Sequence, residues 1–398
     1  MSAKRTQAVN QHSPVRATWL PYARQQVEAE DLQAVLNVLG SDWLTTGPQV
    51  EAFEEAIASY VGSQYAVAFS SGTAALHGAV FAAGLGTGDE GITTPLTFCA
   101  TANCLLYQGA RPVFADIRPD TLTIDPKEIA RRITARTKVL LPVDYAGHPA
   151  DLEAIIALGE KHGLVIIEDA CHALGATYQG EHIGSISHMT VFSFHPVKHI
   201  TTGEGGMVTT NDARFAERLR LFRNHGIIRS ASSTNDEPWY YEMVELGFNY
   251  RISDLACALG QSQLARIEHN LARRRQIAVR YQEALGDLPG VTLPAIKDNM
   301  THAWHLYPIR LELERLRVDR GTVVRALHAE NIGVQVHYIP VHLHPYYRTA
   351  FGYQPGNHPD AERAYEQLVS LPMFHAMRDQ DVEDVVTAMR KVLENHLS

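Results

Sequence analysis

Between Tyr65 and Asp212 the chain alternates short apolar runs with helical stretches, and that alternation leaves few folds open. YAVAF, GITTPL, RPVFADI, TKVLLPVDY, GLVIIEDA, HMTVFSF and GGMVTTND read as strands, with TKVLLPVDY and GLVIIEDA the strongest. Helical patterns such as DLEAIIALGEKHG and ARFAERLRLFRNHG fall between or after them. Strands separated by helices imply an α/β fold: a mostly parallel sheet covered on both faces. At 398 residues, 45% of them hydrophobic, the chain can bury the core such a sheet needs.

The flanks divide the chain further. Residues 1–16 are polar, without the apolar core of a signal peptide, and read as a disordered tail. Two amphipathic helices follow, one ending near Gly40 and one near Gly62, the residue type that closes helices. A long helix is predicted over DLACALGQSQLARIEHNLARRRQIAVRYQEAL, after which the composition changes. The expected division is a large domain at 17–287 and a small α+β domain at 288–398. SASSTNDEPWYYEMVELG reads as a mobile or partner-contacting loop.

A formal net charge of −9 argues against nucleic acid or a membrane surface as partner, and no apolar run is long enough to cross a bilayer. The four cysteines, Cys99, Cys104, Cys171 and Cys257, have neither metal-ligand spacing nor the number of a disulfide framework. A cytoplasmic protein with reduced thiols is expected. His337, His342 and His344 lack helical spacing, are interrupted by Pro340 and Pro345, and suit pocket lining or subunit packing better than a metal; no metal is expected.

Four strand ends carry chemistry. SSGTAAL joins a strand to a helix, and the first N–H groups of a helix lack internal partners, so Thr73 and the backbone of Ala74 can hold a phosphate. Many such turns bind nothing. Phe98 follows another strand end and can stack on a planar ring, though core packing is the commoner use of a phenylalanine. GLVIIEDACHALG delivers Asp169, with His172 three residues on. FSFHPVKHITTGEGG delivers Ser193 and, on a Thr- and Gly-rich loop, Lys198. A lysine on a stiff loop beside a strand-end carboxylate suits pyridoxal 5′-phosphate: the lysine holds the aldehyde, and the carboxylate pairs with the pyridinium nitrogen and keeps the ring an electron sink. Strand C-terminal ends are also where open α/β sheets bind ligands.

These motifs in this order resemble the DegT/DnrJ/EryC1/StrS family of sugar aminotransferases, from about Trp19 to the C-terminus. SDWLTTGPQVEAFEEAIA, SSGTAALH, TTPLTFCATAN, VDYAGHPADL, IIEDACHALGA, FSFHPVKHITTGEGG, FRNHG and LGFNYRISDLACALGQSQL carry the resemblance. It implies the aspartate-aminotransferase-like fold type I of pyridoxal-phosphate-dependent transferases. It also implies that Lys198 bears the cofactor, with pyridoxamine 5′-phosphate as its aminated form, and that Asp169 pairs with the ring nitrogen. By the same resemblance His172 lies near the ring hydroxyl, Thr73, Ala74 and Ser193 hold the phosphate, and Asn249 reaches it from the other subunit of a homodimer. One branch of the family has histidine in place of the lysine and dehydrates its sugar; Lys198 favours transamination despite the neighbouring His199.

Within the family, VDYAG, FHPVK and QVHYIPVHLHPYY most resemble the branch that aminates C4 of a UDP-linked 4-keto-6-deoxy-N-acetylhexosamine on the route to pseudaminic acid. That resemblance implies L-glutamate as amino donor, giving 2-oxoglutarate. It places Tyr22, Asp42, Trp43, Leu44 and Thr45, with Gln335, Val336, His337 and Tyr338, against the nucleotide-sugar. Amination of another nucleotide-linked ketosugar, at C3 or C4, is the rival enzymatic reading. A non-catalytic regulator on the same fold would be expected to have lost Lys198 or Asp169.

Overall fold

The computed structural model describes residues 13–229 and 239–398. Seven strands form the main sheet: β1 (Tyr65–Phe69), β2 (Glu90–Thr93), β3 (Arg111–Phe114), β4 (Thr137–Leu141), β5 (Val165–Asp169), β6 (Met189–Ser193) and β7 (Gly206–Thr210). Their order is β1-β7-β6-β5-β4-β2-β3. The five strands from β6 to β3 run parallel, and β7 is antiparallel to both its neighbours. This is the large domain of fold type I.

The pleat explains why the central strands are mostly apolar on both faces. Leu140, Ile166 and Phe192 face one core with Phe53, Ile57 and Ile155. Val139, Leu141, Ile167 and Val191 face the other, under Ala75, Leu76 and Val80 of the helix Gly72–Ala82. With side chains alternating between two covered faces, neither set meets water, and each buried aliphatic side chain contributes about 1.5–3 kcal/mol. The helix Gly72–Ala82 lies close on the sheet at Gly78, where a Cβ would come within 2.7 Å of the Phe69 ring.

The exposed edge of β1 is closed by side chains. Glu54 accepts from the Ala68 N–H at 2.8 Å, Arg223 donates to the Ala68 carbonyl at 2.8 Å, and the two side chains pair with each other.

A second core gathers around a small antiparallel sheet of Val291–Thr292, Tyr307–Leu311 and Leu368–Leu371, covered by the helices Arg320–Ala329 and Asp379–Glu394. Three expectations change here. Leu20 and the end of the long helix (Ile277, Ala278, Tyr281, Leu285) pack into this second core, so it recruits residues from before position 288. The predicted tail over 1–16 runs too far: Val15 N–H donates to Glu330 at 2.7 Å, and Arg16 pairs with Asp381 at 2.9 Å and Asp384 at 2.5 Å. The single long helix is two, Asp254–Leu264 and Ile267–Leu285, parted at Arg266, whose backbone leaves the helix and whose guanidinium pairs with buried Asp31 at 2.7 Å. The loop predicted at SASSTNDEPWYYEMVELG lies partly outside the described residues.

Candidate active site

Asp169 closes β5 and is 5% exposed. Its Oδ2 accepts from Thr101 Oγ1 at 2.7 Å and its Oδ1 from the Cys171 N–H at 3.2 Å. Thr101 in turn bonds Thr97 Oγ1 at 2.8 Å, so a two-threonine chain from the β2 end fixes the carboxylate. A carboxylate held this way keeps a free lone pair on each oxygen for a cationic N–H.

Lys198 stands on the loop between β6 and β7. Its own N–H donates to His195 O at 2.9 Å, Phe194 N–H to Gly205 O at 2.9 Å, and Thr202 N–H to Phe194 O at 3.0 Å, so the loop is stitched from side to side. Burial pushes the amine below the ordinary lysine range, while Cys171 and Asp169 pull the other way. A lysine so placed gives up its proton more readily than one in water, which suits it to act as a base.

His172 follows Asp169 round the turn. Its Nε2 lies 3.2 Å from Tyr338 Oη, its ring packs on His305 at 4.3 Å, and its buried Nδ1 has no partner among the described residues. Burial, reinforced by Lys198, holds it well below the usual histidine range and therefore neutral. Ser193 ends β6 and abuts the SSGT turn: a Cβ on Gly72 would lie 3.0 Å from the Ser193 Cβ. The turn opens the helix Gly72–Ala82, and Ser71 caps it by accepting from the Ala74 N–H at 3.1 Å. The Ala74 N–H is thus already engaged, and the N–H groups of Gly72 and Thr73 are the first-turn donors left for an anion. Phe98, at the start of the neighbouring helix, is 57% exposed and its ring lies 6.1 Å from that of Tyr338.

These residues fit pyridoxal phosphate. At the ends of neighbouring strands they offer an anion-binding turn with two hydroxyls, an aromatic ring, a carboxylate, a lysine, and a buried histidine nitrogen with an unmet hydrogen bond.

The sugar-facing predictions separate into two groups. Tyr22, His337 and Tyr338 gather beside His172: the Tyr22 and His337 rings lie 5.3 Å apart, and His337 Nδ1 is 2.9 Å from Ser370 Oγ. Tyr145 Oη donates to the His337 carbonyl. Burial, then Lys198, lowers His337 to about 4. Gln335 is exposed and bridges Ser370 through its backbone; Val336 N–H donates to the Gln335 side chain at 2.9 Å. Asp42, Trp43, Leu44 and Thr45 lie elsewhere, on a loop joined to the start of the helix Asp254–Leu264: Thr45 bridges Ser253, and Asp254 N–H donates to Leu44 O at 3.1 Å. Beside this loop opens a cavity of about 1090 Å³ lined by Thr46, Glu54, Arg223, Asn224 and Arg251.

Asn249 is on that second face. Tyr250 turns its ring toward Phe222 and His77 while its carbonyl accepts from Ser70 N–H at 2.8 Å. In extended chain the next residue points the opposite way, and Asn249 is exposed. His342 pairs with Glu362 at 2.9 Å.

Sequence reasoning missed Thr101, Tyr145 and His305. Thr101 lies four residues after Thr97, one helical turn, and could have been found from that spacing; Tyr145 and His305 become visible only when the two cores meet.

The family model for the DegT/DnrJ/EryC1/StrS aminotransferase family matches residues 25–390. The chain belongs to this family. It is accordingly a pyridoxal-phosphate-dependent sugar aminotransferase. The spore coat polysaccharide biosynthesis protein SpsC of Bacillus subtilis is 44% identical over 382 residues, 95% of this chain and 98% of that protein. Among solved structures, Helicobacter pylori PseC, an aminotransferase involved in the biosynthesis of pseudoaminic acid, is 34% identical. It superposes with a TM-score of 0.89 over 95% of this chain and 100% of its own. The PMP-form of Spr1654 of Streptococcus pneumoniae is 29% identical with a TM-score of 0.90, over 94% and 99% of the two chains.

Proposed function

We propose that this aminotransferase moves an amino group from L-glutamate to C4 of a UDP-linked 4-keto-6-deoxy-N-acetylhexosamine, on the route to pseudaminic acid. The observation that carries the reading is the wall beside Lys198. The QVHY segment (Gln335 to Tyr338) folds onto His172 through Tyr338 and onto Tyr22 through His337, in a chain whose fold matches PseC end to end.

Bound pyridoxal phosphate supplies the electron sink. Asp169, its oxygens fixed in place by Thr101 and Cys171, would hold the ring nitrogen positive. Lys198 Nζ, its basicity reduced by burial, takes the proton from the donor Cα in one half-reaction and delivers one to sugar C4 in the other. Thr73, Ser193 and the first-turn N–H groups would hold the phosphate, Phe98 would pack against the ring, and His172, oriented by Tyr338, would hydrogen-bond to it. Tyr22, His337 and Tyr338 present the ketone.

In this reading the enzyme is a cytoplasmic homodimer. Asn249 is exposed and bridges Asn224, which lines the cavity beside the loop at 42–45, and this reading has it reach the site of a second copy; no helix among the described residues is long and apolar enough to cross a membrane.

The 44% identity to SpsC supports a second reading, amination of a different nucleotide-linked ketosugar. Purified enzyme, L-glutamate and a panel of UDP- and dTDP-ketosugars separate the two. The expected product carries its new amine on C4 of the UDP-4-keto sugar, read by NMR. Turnover of a 3-keto or dTDP sugar, with that compound untouched, overturns the C4 assignment.

A further inference from the structure

Two acids are buried directly behind Asp169. Asp144 and Glu168 are both 0% exposed, and the parallel register that sets Val143 opposite Asp169 turns both side chains to one face of the sheet, close enough for each carboxyl to act on the other. Each has one satisfied oxygen: Asp144 Oδ1 accepts from the Ala150 N–H at 2.8 Å, and Glu168 Oε2 accepts from Thr190 Oγ1 at 2.9 Å. Their other oxygens, Asp144 Oδ2 and Glu168 Oε1, are buried and find no donor among the described residues. Two ionised carboxylates cannot face one another there: like charges in a dry site repel, and an acceptor without a donor forfeits the hydrogen bonds it had in water. A proton between the two orphaned oxygens removes both penalties at once.

We propose that Asp144 and Glu168 share a single proton, and that this acid pair positions both Asp169 and the loop that clamps the sugar-facing segment. The first link is through the backbone: Asp144 N–H donates to Asp169 O at 3.1 Å, and Glu168 immediately precedes Asp169 in β5. The second runs through Asp144 into its loop. Tyr145 donates to the His337 carbonyl, Ala146 O accepts from Leu306 N–H at 3.2 Å, and Gly147 O accepts from Ala303 N–H at 2.9 Å, on either side of His305. One proton therefore holds together the strand end that carries Asp169 and the segments that carry His305 and His337.

Burial raises both carboxyls above the ordinary range; Glu168 raises Asp144 further, while Asp144 pulls Glu168 back down, as a protonated neighbour donating to a carboxylate would. The titratable groups facing the pair are Asp169, next along β5, and the Cys171 thiol; the hydroxyls of Thr190 and Ser187 face Glu168. A carboxyl raised in the fold contributes stability below its ordinary value and loses it as pH rises through the raised one.

Infrared spectroscopy of the purified holoenzyme at neutral pH tests the pairing. The parent is expected to show a protonated-carboxyl C=O stretch that disappears in both Asp144→Asn and Glu168→Gln, because either amide donates to the remaining carboxylate. Its absence in the parent, or its survival in both variants, overturns the proposal. Thermal melts from neutral to alkaline pH give a second reading. The parent should lose Tm as the shared proton leaves, and Asp144→Asn should not follow that fall; parallel curves would also overturn it. The positioning role is read from kcat: Asp144→Leu, which cannot donate to Glu168, should lose more than Asp144→Asn, and equal losses argue against it. None of these outcomes depends on which sugar is the substrate.

Discussion

Thr101 Oγ1 donates to Asp169 Oδ2 across 2.7 Å, from a helix that starts at the end of β2 to a carboxylate at the end of β5. Two strand ends separated by β4 are tied by one hydrogen bond, and the acid proposed to face the cofactor ring is oriented by a residue that need not touch it.

Thr101→Val keeps the shape and removes the donor. A hydrogen bond to a charged group is worth about 1.5–3 kcal/mol, so kcat should fall by roughly ten- to a hundredfold with the fold intact by circular dichroism. Wild-type turnover would mean that Cys171 N–H alone suffices to orient the acid.

Asp169→Asn leaves a neutral amide opposite the pyridinium. A shortfall of about 3 kcal/mol in transition-state stabilisation corresponds to more than a hundredfold in rate, in both half-reactions. Single-turnover absorbance with L-glutamate, then with the ketosugar, measures each half. Rates within a factor of two of the parent would end the electron-sink role.

Borohydride reduction and peptide mapping should place the pyridoxyl label on Lys198, and Lys198→Ala should bind cofactor without turning over. The lysine also has a stability signature. Its amine is held below the ordinary value, near 10.4, so between the two values the unfolded chain binds the proton more tightly than the folded one. Lys198 therefore costs stability at neutral pH and less as pH rises toward that value. Lys198→Met should raise the Tm of cofactor-free protein at pH 7 and narrow its gap from the parent at high pH. An unchanged Tm at both would show that Asp169 and Cys171 offset the burial.

Asn249 is expected to act across the subunit boundary. Mixing Lys198→Ala chains with a severely impaired Asn249 variant should restore activity, because one site of each hybrid then has both residues intact. If verified hybrids stay inactive, Asn249 serves its own subunit.

The sheet was legible because its central strands obey one simple rule: Ile166 and Ile167 point to opposite faces, both dry, so the runs are mostly apolar on both sides. The chemistry was legible wherever it sat at the end of such a run, as Asp169 and Ser193 do. What escaped depends on partners far apart in sequence. The break at Arg266 needs Asp31, over two hundred residues away; the seat of the loop at 42–45 needs the bridge from Thr45 to Ser253; and the packing of His305 on His172 needs the two cores to meet. None of these leaves a local periodicity to read.

The stopper on β1 bears on a different hazard. A free sheet edge is a template on which a stray strand, or another copy of the same chain, can add itself without limit. By spending Glu54 and Arg223 on the two backbone groups of Ala68, the molecule denies that template at the open end of its largest sheet. Any association through this side must then proceed by fitted side chains, which stop at a defined number of copies. Arg223→Ala is therefore a change whose damage should appear first as fibrous or amorphous aggregate on storage.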